Sequence, residues 1–150
     1  MESDEIRAAL READLAEAAP WTDYPPTPRW YPPATGLWAA LLTLTIGLLH
    51  GMVAALALLA LMAAELGFLG WYLRYRGGVW QTGRPPREFH RAIGLFLGAT
   101  ALLVAVVFTA SLTLGPWAGA VLALIGATAV VAWYERLYAD AARRTRERLA

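Results

Sequence analysis

The sequence predicts an all-α integral membrane protein. Four transmembrane helices would form two helical hairpins, preceded by a short amphipathic cytoplasmic helix and a linker rich in proline and tryptophan. Two observations lead to this prediction. The 150 residues are 58% hydrophobic and only 17% charged, which is too apolar for an ordinary soluble domain of this length. All basic side chains are arginines, and they lie outside the long apolar stretches.

Residues 1–19 are predicted to form an acidic cytoplasmic helix. Residues 1–28 carry seven acids and two arginines without an apolar core, so they do not resemble a secretory signal. A narrow apolar stripe of Ile6, Leu10 and Ala13 follows helical spacing. The simpler interpretation is a solvated arm. The alternative is a helix that binds a partner or docks onto an arginine-rich loop of the same chain.

Residues 20–33 are predicted to be an extended linker. Six prolines in this stretch disfavour both helix and sheet and favour a polyproline-like path. A proline-rich ligand for a groove-type domain is the alternative. Amphipathic rings are at home at the membrane surface. We expect four aromatic residues of the linker there, namely Trp21, Tyr24, Trp30 and Tyr31.

The first apolar run extends from Pro33 to Arg74 and is too long for one span. As a single helix it would measure roughly 60 Å, about twice the thickness of the hydrocarbon core. A turn at residues 50–51, where histidine is followed by glycine, divides it into spans of about 34–50 and 52–73. Glycine costs a helix only about 1 kcal/mol, so its presence favours the turn without requiring it.

The second apolar region contains two further spans, at about 92–114 and 117–134. The sequence Gly-Pro-Trp at 115–117 separates them. Pro116 is suited to the first turn of a helix, where its missing N–H has no partner to lose. Trp117 is expected at a membrane interface.

Arginine placement supports four spans over three. If residues 50–51 and 115–117 are turns on one side of the membrane, that side has no arginine. Treating 34–73 as one broken span would place Arg29 and the 74–91 loop on opposite sides. Because arginine accumulates on the cytoplasmic side, we expect both termini and the 74–91 loop in the cytoplasm. The expected location of the protein is the inner membrane of a bacterial cell.

The predicted domain plan is a membrane bundle at 34–138 followed by a basic cytoplasmic tail at 139–150. The tail and the loop are next to anionic lipid headgroups, which is a sufficient reason for their charge. Nucleic-acid binding is not expected. The basic loop contains Arg74, Arg76, Arg84, Arg87 and Arg91.

A weak repeat links the two predicted hairpins. Residues 28–38 (PRWYPPATGLW) align with residues 86–96 (PREFHRAIGLF) at seven similar or identical positions. A duplication would relate the hairpins by an axis along the membrane normal. Chance similarity in a chain rich in alanine, leucine and glycine explains the match equally well.

Glu65 is the only ionisable residue well inside a predicted span. It lies six residues before Trp71, hence roughly 9 Å below the cytoplasmic interface. A charge at such depth costs about 2.5–3.5 kcal/mol on insertion scales, so the group should face the bundle, pair, or be protonated. One hypothesis is a proton or cation site. The other is a neutral carboxyl hydrogen-bonded to a threonine of a neighbouring helix, with the candidates Thr43, Thr100 and Thr128.

Small residues recur at four-residue spacing within the spans. This spacing lets helix backbones approach closely in lipid, where the hydrophobic effect does not drive association. The pattern predicts packing within the chain first and dimerisation second. The candidates are Gly47, Gly51, Ala63, Gly67, Gly94, Gly98, Gly119 and Ala123.

Catalytic and metal-binding patterns are not found in the sequence. The chain has no cysteine, and His50 and His90 fall on opposite sides of the predicted bundle, so we expect no metal site and no cofactor. Phosphate-loop, HExxH and GxSxG motifs are absent, and we expect no enzyme.

The predicted function is therefore a non-catalytic one. We expect an accessory, scaffold or regulatory subunit of an inner-membrane complex, which contacts lipid and other membrane proteins. The alternative is a small transporter or channel that uses Glu65. Four short spans seldom enclose a pathway alone, so that alternative requires a homo-oligomer.

Overall fold

The chain folds entirely into α-helices over the described residues. The computed structural model describes residues 2–23, 27–75 and 85–149, and this part of the chain contains no strand. The all-α prediction is therefore confirmed. In chain order the helices are α1 (Glu2–Thr22), α2 (Tyr31–Leu48), α3 (Gly51–Tyr75), α4 (Arg87–Thr113) and α5 (Pro116–Leu149).

Helices α3, α4 and α5 are long and apolar enough to cross a membrane. Helix α2 is long enough at 18 residues, but its hydropathy falls short because it begins with Tyr31, Pro32 and Pro33. The described chain thus has three candidate spans by composition. The first predicted span, at about 34–50, coincides with α2, which is the shortest of these four helices.

Helix α5 is the central element, and α2 and α4 pack along it. Helix α2 runs antiparallel to α5, because Gly36 lies against Thr128 whereas Gly47 lies against Pro116. A Cβ atom at Gly36 would collide with Thr128 Oγ1 and with the carbonyl oxygen of Leu124. Glycine therefore sets how closely the two backbones approach.

Helices α4 and α5 form a packed antiparallel hairpin. At its closed end Gly115 has a φ of +97°, a conformation that favours glycine, and Pro116 opens α5 as predicted. Further along, the rings of Phe96 and Tyr134 lie with their centroids 4.4 Å apart. Packing therefore continues from the turn to the far end of the hairpin.

The first apolar run breaks at the predicted place. Leu49 and His50 leave helical conformation, and α3 begins at Gly51 with a φ of +60°. Residues with a side chain rarely adopt this φ, so glycine suits the position. The run is therefore two helices.

Helices α2 and α3 do not pack as closely as the predicted hairpin requires. Helix α2 makes most of its contacts with α5, and α3 makes few contacts of any kind. The physical reason is the choice of faces. Gly36 and Gly47 of α2 face α5, whereas α3 meets α2 through the bulky rings of Phe68 and Tyr72.

The linker is shorter than the predicted 20–33. Helix α1 continues through Pro20 to Thr22, and α2 already begins at Tyr31. Two of the six prolines fall in the first turn of α2, where the missing N–H breaks no helical hydrogen bond. The number of prolines therefore predicted a longer extended segment than the structure has. Tyr24 lies outside the described residues.

Trp21 lies in the protein interior and not on the outer surface of the helices. It is 8% exposed and packs on Phe89, with ring centroids 5.5 Å apart. The Tyr138 hydroxyl donates to the Trp21 carbonyl oxygen at 2.9 Å. Ala141 and Ala142 complete this basal core, which joins α1, α4 and α5.

The predicted basic tail is the end of α5. This helix continues without a break to Leu149, well past the predicted span end at 134. Ala141, Ala142 and Thr145 are buried within this extension because α1 and the start of α4 pack on it. The end of the chain is therefore part of the folded body.

Candidate functional site

Helix α3 is the least covered element of the chain. Tyr72 is its one buried residue, and none of its most apolar 18-residue window is buried. Leu59, Leu66 and Met62 are each more than half exposed. In water such a helix would be an unfavourable apolar surface, whereas in a bilayer lipid or another helix can cover it.

An aromatic cluster anchors the C-terminal end of α3 to α2. Tyr31 stacks on Tyr72 at a centroid distance of 5.3 Å and on Phe68 at 6.2 Å. Trp30 lies 5.9 Å from Trp71, and both indoles remain substantially exposed. The interfacial position of Trp30 and Tyr31 stays a prediction.

Glu65 lies one turn from this cluster, on the same face of α3. The spacing of Glu65, Phe68 and Tyr72 is i, i+3 and i+7, which places the three on one side of a helix. Glu65 is exposed, and no ion-pair partner for it exists among the described residues. A single chain therefore does not bury Glu65 inside its helical bundle.

Two acidic residues lie close to the aromatic cluster. The carboxyl groups of Glu65 on α3 and of Glu135 on α5 are both within electrostatic reach of the Tyr31 hydroxyl.

Glu135 is a polar residue that the sequence analysis missed. Its Oε2 accepts a hydrogen bond of 2.6 Å from the Thr27 hydroxyl, and Thr27 also interacts with Tyr72. Carboxyl and hydroxyl groups thus lie together near Tyr31, where α2, α3 and α5 meet. We call this group the polar seam, and its members are Glu65, Tyr31, Tyr72, Thr27 and Glu135. The two partners are separated by 108 residues, so no local pattern could have paired them.

The three threonine candidates do not meet Glu65. The hydroxyl of Thr43 donates to Ala39 O at 2.8 Å, and that of Thr128 donates to Leu124 O at 2.7 Å. Thr100 Oγ1 is buried without a hydrogen-bond partner among the described residues. The structure therefore does not bring the predicted polar residues together.

The small-residue candidates divide into packed and open positions. Gly47 lies against Pro116, Gly119 lies against Ser111 and the Val107 carbonyl, and Ala123 is 3% exposed. At the open positions a Cβ would meet nothing within 4 Å or the residue itself is exposed. These are Gly51, Ala63, Gly67, Gly94 and Gly98.

Two packing glycines were missed by the four-residue pattern. Gly36 contacts α5, and Gly126 lies against the Leu103 side chain of α4. At each position a Cβ atom would collide with a residue of the partner helix, so the need for glycine depends on that partner. The spacing of small residues along one helix does not reveal it.

The basic loop is joined to the end of α5 through Glu88. The Glu88 carboxylate accepts hydrogen bonds from Arg148 Nε at 2.7 Å and from the buried Thr145 hydroxyl at 3.4 Å. Burial opposes ionisation, but hydrogen bonds from its own backbone N–H and from Arg148 outweigh it and lower the pKa of Glu88. This contact fixes the start of α4 to α5.

The loop arginines in the described residues are exposed. Arg74, Arg87 and Arg91 point to solvent, as do both histidines, His50 and His90. Arg76 and Arg84 lie outside the described residues. Exposed arginines beside an aromatic belt suit contact with anionic headgroups. Within residues 2–23, 27–75 and 85–149, no group of three metal-ligating side chains is found.

No family model, curated protein or solved structure matches this chain. The class of protein is therefore defined by its own fold. It is an all-helical chain with three helices that are long and apolar enough to cross a bilayer, which is the class of helical membrane proteins.

Proposed function

We propose that this chain is a non-catalytic accessory subunit of a bacterial inner-membrane complex. The single observation that carries the proposal is the exposure of α3 along its whole apolar length. A helix with few partners in its own chain, and with an acid at hydrocarbon depth, is suited to bind another protein in the membrane. The fold supplies a rigid support for it in the packed helices α2, α4 and α5.

The proposed topology has four spans, with α2 as the first. At 1.5 Å per residue, the 18 residues of α2 extend roughly 27 Å, close to the hydrocarbon thickness. The contacts of Gly36 and Gly47 place α2 beside the apolar half of α5. A helix alongside a span over that length shares its depth. The absence of arginine near both glycine turns supports a cytoplasmic location for both termini.

Helix α1 is proposed as a second surface for the partner. Its side chains from Glu12 to Glu17 are exposed and three of these six residues are acidic, whereas Ala18 and Trp21 are buried against the rest of the chain. Deleting residues 2–17 would remove the acidic surface and leave the anchor. We expect this deletion to weaken partner binding without unfolding the bundle.

Photo-crosslinking in native membranes tests the proposal. A photo-reactive amino acid replaces Leu66 on α3, which is 66% exposed. The matched control replaces Leu102 on α4, which is 67% exposed. We expect a discrete heteromeric product from position 66 and only lipid adducts from position 102. Lipid adducts alone from both positions would contradict a partner on α3.

A transporter or channel is the second candidate function. The observation that favours it is the polar seam of Glu65, Tyr31, Tyr72, Thr27 and Glu135, which leads from the bilayer toward the cytoplasmic-side end of the helices. Proton or cation flux into proteoliposomes tests it. We expect wild-type flux and its loss in Glu65→Gln if this function is correct, and no flux above empty liposomes if it is not.

A further inference from the structure

We propose that the face of α3 around Glu65 binds a transmembrane helix of a different protein, and that this helix presents an arginine or lysine at the depth of Glu65. The proposal rests on the accessory-subunit function and names the chemistry of the partner at the same surface.

A counterpart within the membrane would stabilise the charged form of the acid. Glu65 lies about 9 Å below the interface if Trp71 marks it, and its side chain is exposed on a helix that the chain leaves uncovered. A lone carboxylate facing hydrocarbon is strongly unfavourable. An arginine or lysine at contact distance stabilises the charged form and supplies hydrogen-bond donors to both carboxylate oxygens.

A second copy of this chain does not supply such a cation. Residues 34–73 and 92–134 contain no arginine or lysine. A copy placed symmetrically against α3 would bring a second Glu65 to the first, and two carboxylates repel each other. His50 lies in the turn at the opposite end of the helix. The occupant with complementary charge is therefore a different chain.

The face of α3 beside Glu65 is open to a second helix. Met62 lies three residues before Glu65 and Leu69 four residues after it, so both are on the same side of the helix as the acid. Met62 is 58% exposed and Leu69 is 40% exposed. These two side chains provide apolar contact around the acid for a helix that lies along this face.

Designed peptides in lipid nanodiscs test the proposal. The full chain carries one fluorophore on Leu114→Cys, the only cysteine in the protein. The probe is a leucine–alanine transmembrane peptide of about 24 residues with arginine at the matching depth. The same peptide with leucine at that position is the control peptide. Energy transfer between the fluorophore and a labelled peptide measures association.

The expected result is a preference for the arginine peptide over the leucine peptide of about tenfold or more, which corresponds to about 1.4 kcal/mol. Glu65→Gln should abolish the preference, whereas Glu65→Asp should retain most of it. The matched control Glu147→Gln makes the same chemical change at an exposed position of α5 and should leave the preference unchanged.

Three outcomes would overturn the proposal. They are equal binding of the two peptides, a preference that persists in Glu65→Gln, or self-association of two labelled copies that depends on Glu65 and exceeds binding of the arginine peptide. If position 66 crosslinks to another protein in membranes while the arginine peptide shows no preference, the accessory function stands and this inference fails. If neither result is obtained, both fail.

Discussion

Gly36 shows how one residue controls the distance between two helices. It faces the Leu124 carbonyl oxygen and the Thr128 hydroxyl of α5, so any side chain would force backbone to move. Gly98 on α4 is a contrasting glycine, because a Cβ there would meet nothing within 4 Å. The same change of one methyl group therefore has opposite consequences at the two positions.

Replacing Gly36 by alanine should destabilise the protein by about 1–3 kcal/mol, the usual range for overpacking a close contact. Gly98→Ala should be neutral or slightly stabilising, since alanine has the higher helix propensity. Reversible unfolding in mixed micelles with increasing dodecyl sulfate, followed by circular dichroism, measures both. Equal stabilities of the two variants would show that α2 and α5 do not approach closely at Gly36.

Residue chemistry also explains which parts of the candidate site the sequence indicates. The isolated acid Glu65 is evident from the sequence, because a charge in an apolar run is conspicuous. Its surroundings were not predictable, since Tyr31 and Glu135 come from helices far apart in the chain. Thr27 was missed for the same reason, as its partner Glu135 is 108 residues away.

Two helix boundaries lie where local chemistry predicts them. The break before Gly51 and the start of α5 at Pro116 follow from glycine's access to positive φ and from proline's preference for the first turn. The end of α5 and the linker differ from the prediction. Pro20 lies inside α1, and Trp21 beyond it is held by the basal core, so tertiary packing extends the helix past a residue that disfavours it.

Trp21 should be the anchor that holds α1 to α4 and α5. Replacing a buried tryptophan by alanine costs about 3–5 kcal/mol in well-packed cores, enough to release a helix held at one end. We expect trypsin to cleave Trp21→Ala faster after Arg7 in detergent. Leu15→Ala is the matched control, because Leu15 is 50% exposed on the same helix. Equal cleavage of both variants would show that Trp21 does not secure α1.

At the scale of the whole molecule, both glycine turns lie at the same end of the bundle. Helices α2 and α4 each run antiparallel to α5, so the turns before Gly51 and at Gly115 fall together, and the Glu88–Arg148 contact lies at the other end. Apolar side chains cover the outside of the bundle between the two ends. This arrangement suits a bilayer, with the charged groups concentrated on one surface.

Cysteine labelling tests this orientation in the naturally cysteine-free chain. A membrane-impermeant maleimide is applied to cells in which the outer face of the inner membrane is accessible to the reagent. We expect labelling at His50→Cys and Leu114→Cys, and protection at Arg143→Cys until the inner membrane is permeabilised. Labelling at position 143 alone would show that the orientation is the opposite of the proposed one. Labelling at position 114, with protection at positions 50 and 143, would show that α2 does not cross the membrane.

The sequence by itself determined the helical class, the apolar helices and the positions of the two turns. These depend on composition and on glycine and proline, whose effects are local. Only the tertiary structure decided that α2 packs on α5, that Trp21 is buried and that Glu65 lies on an uncovered helix. Several faces of this chain carry small residues at helical spacing. Which two of them meet depends on shape complementarity between helices distant in sequence, and a pattern along one helix does not contain that information.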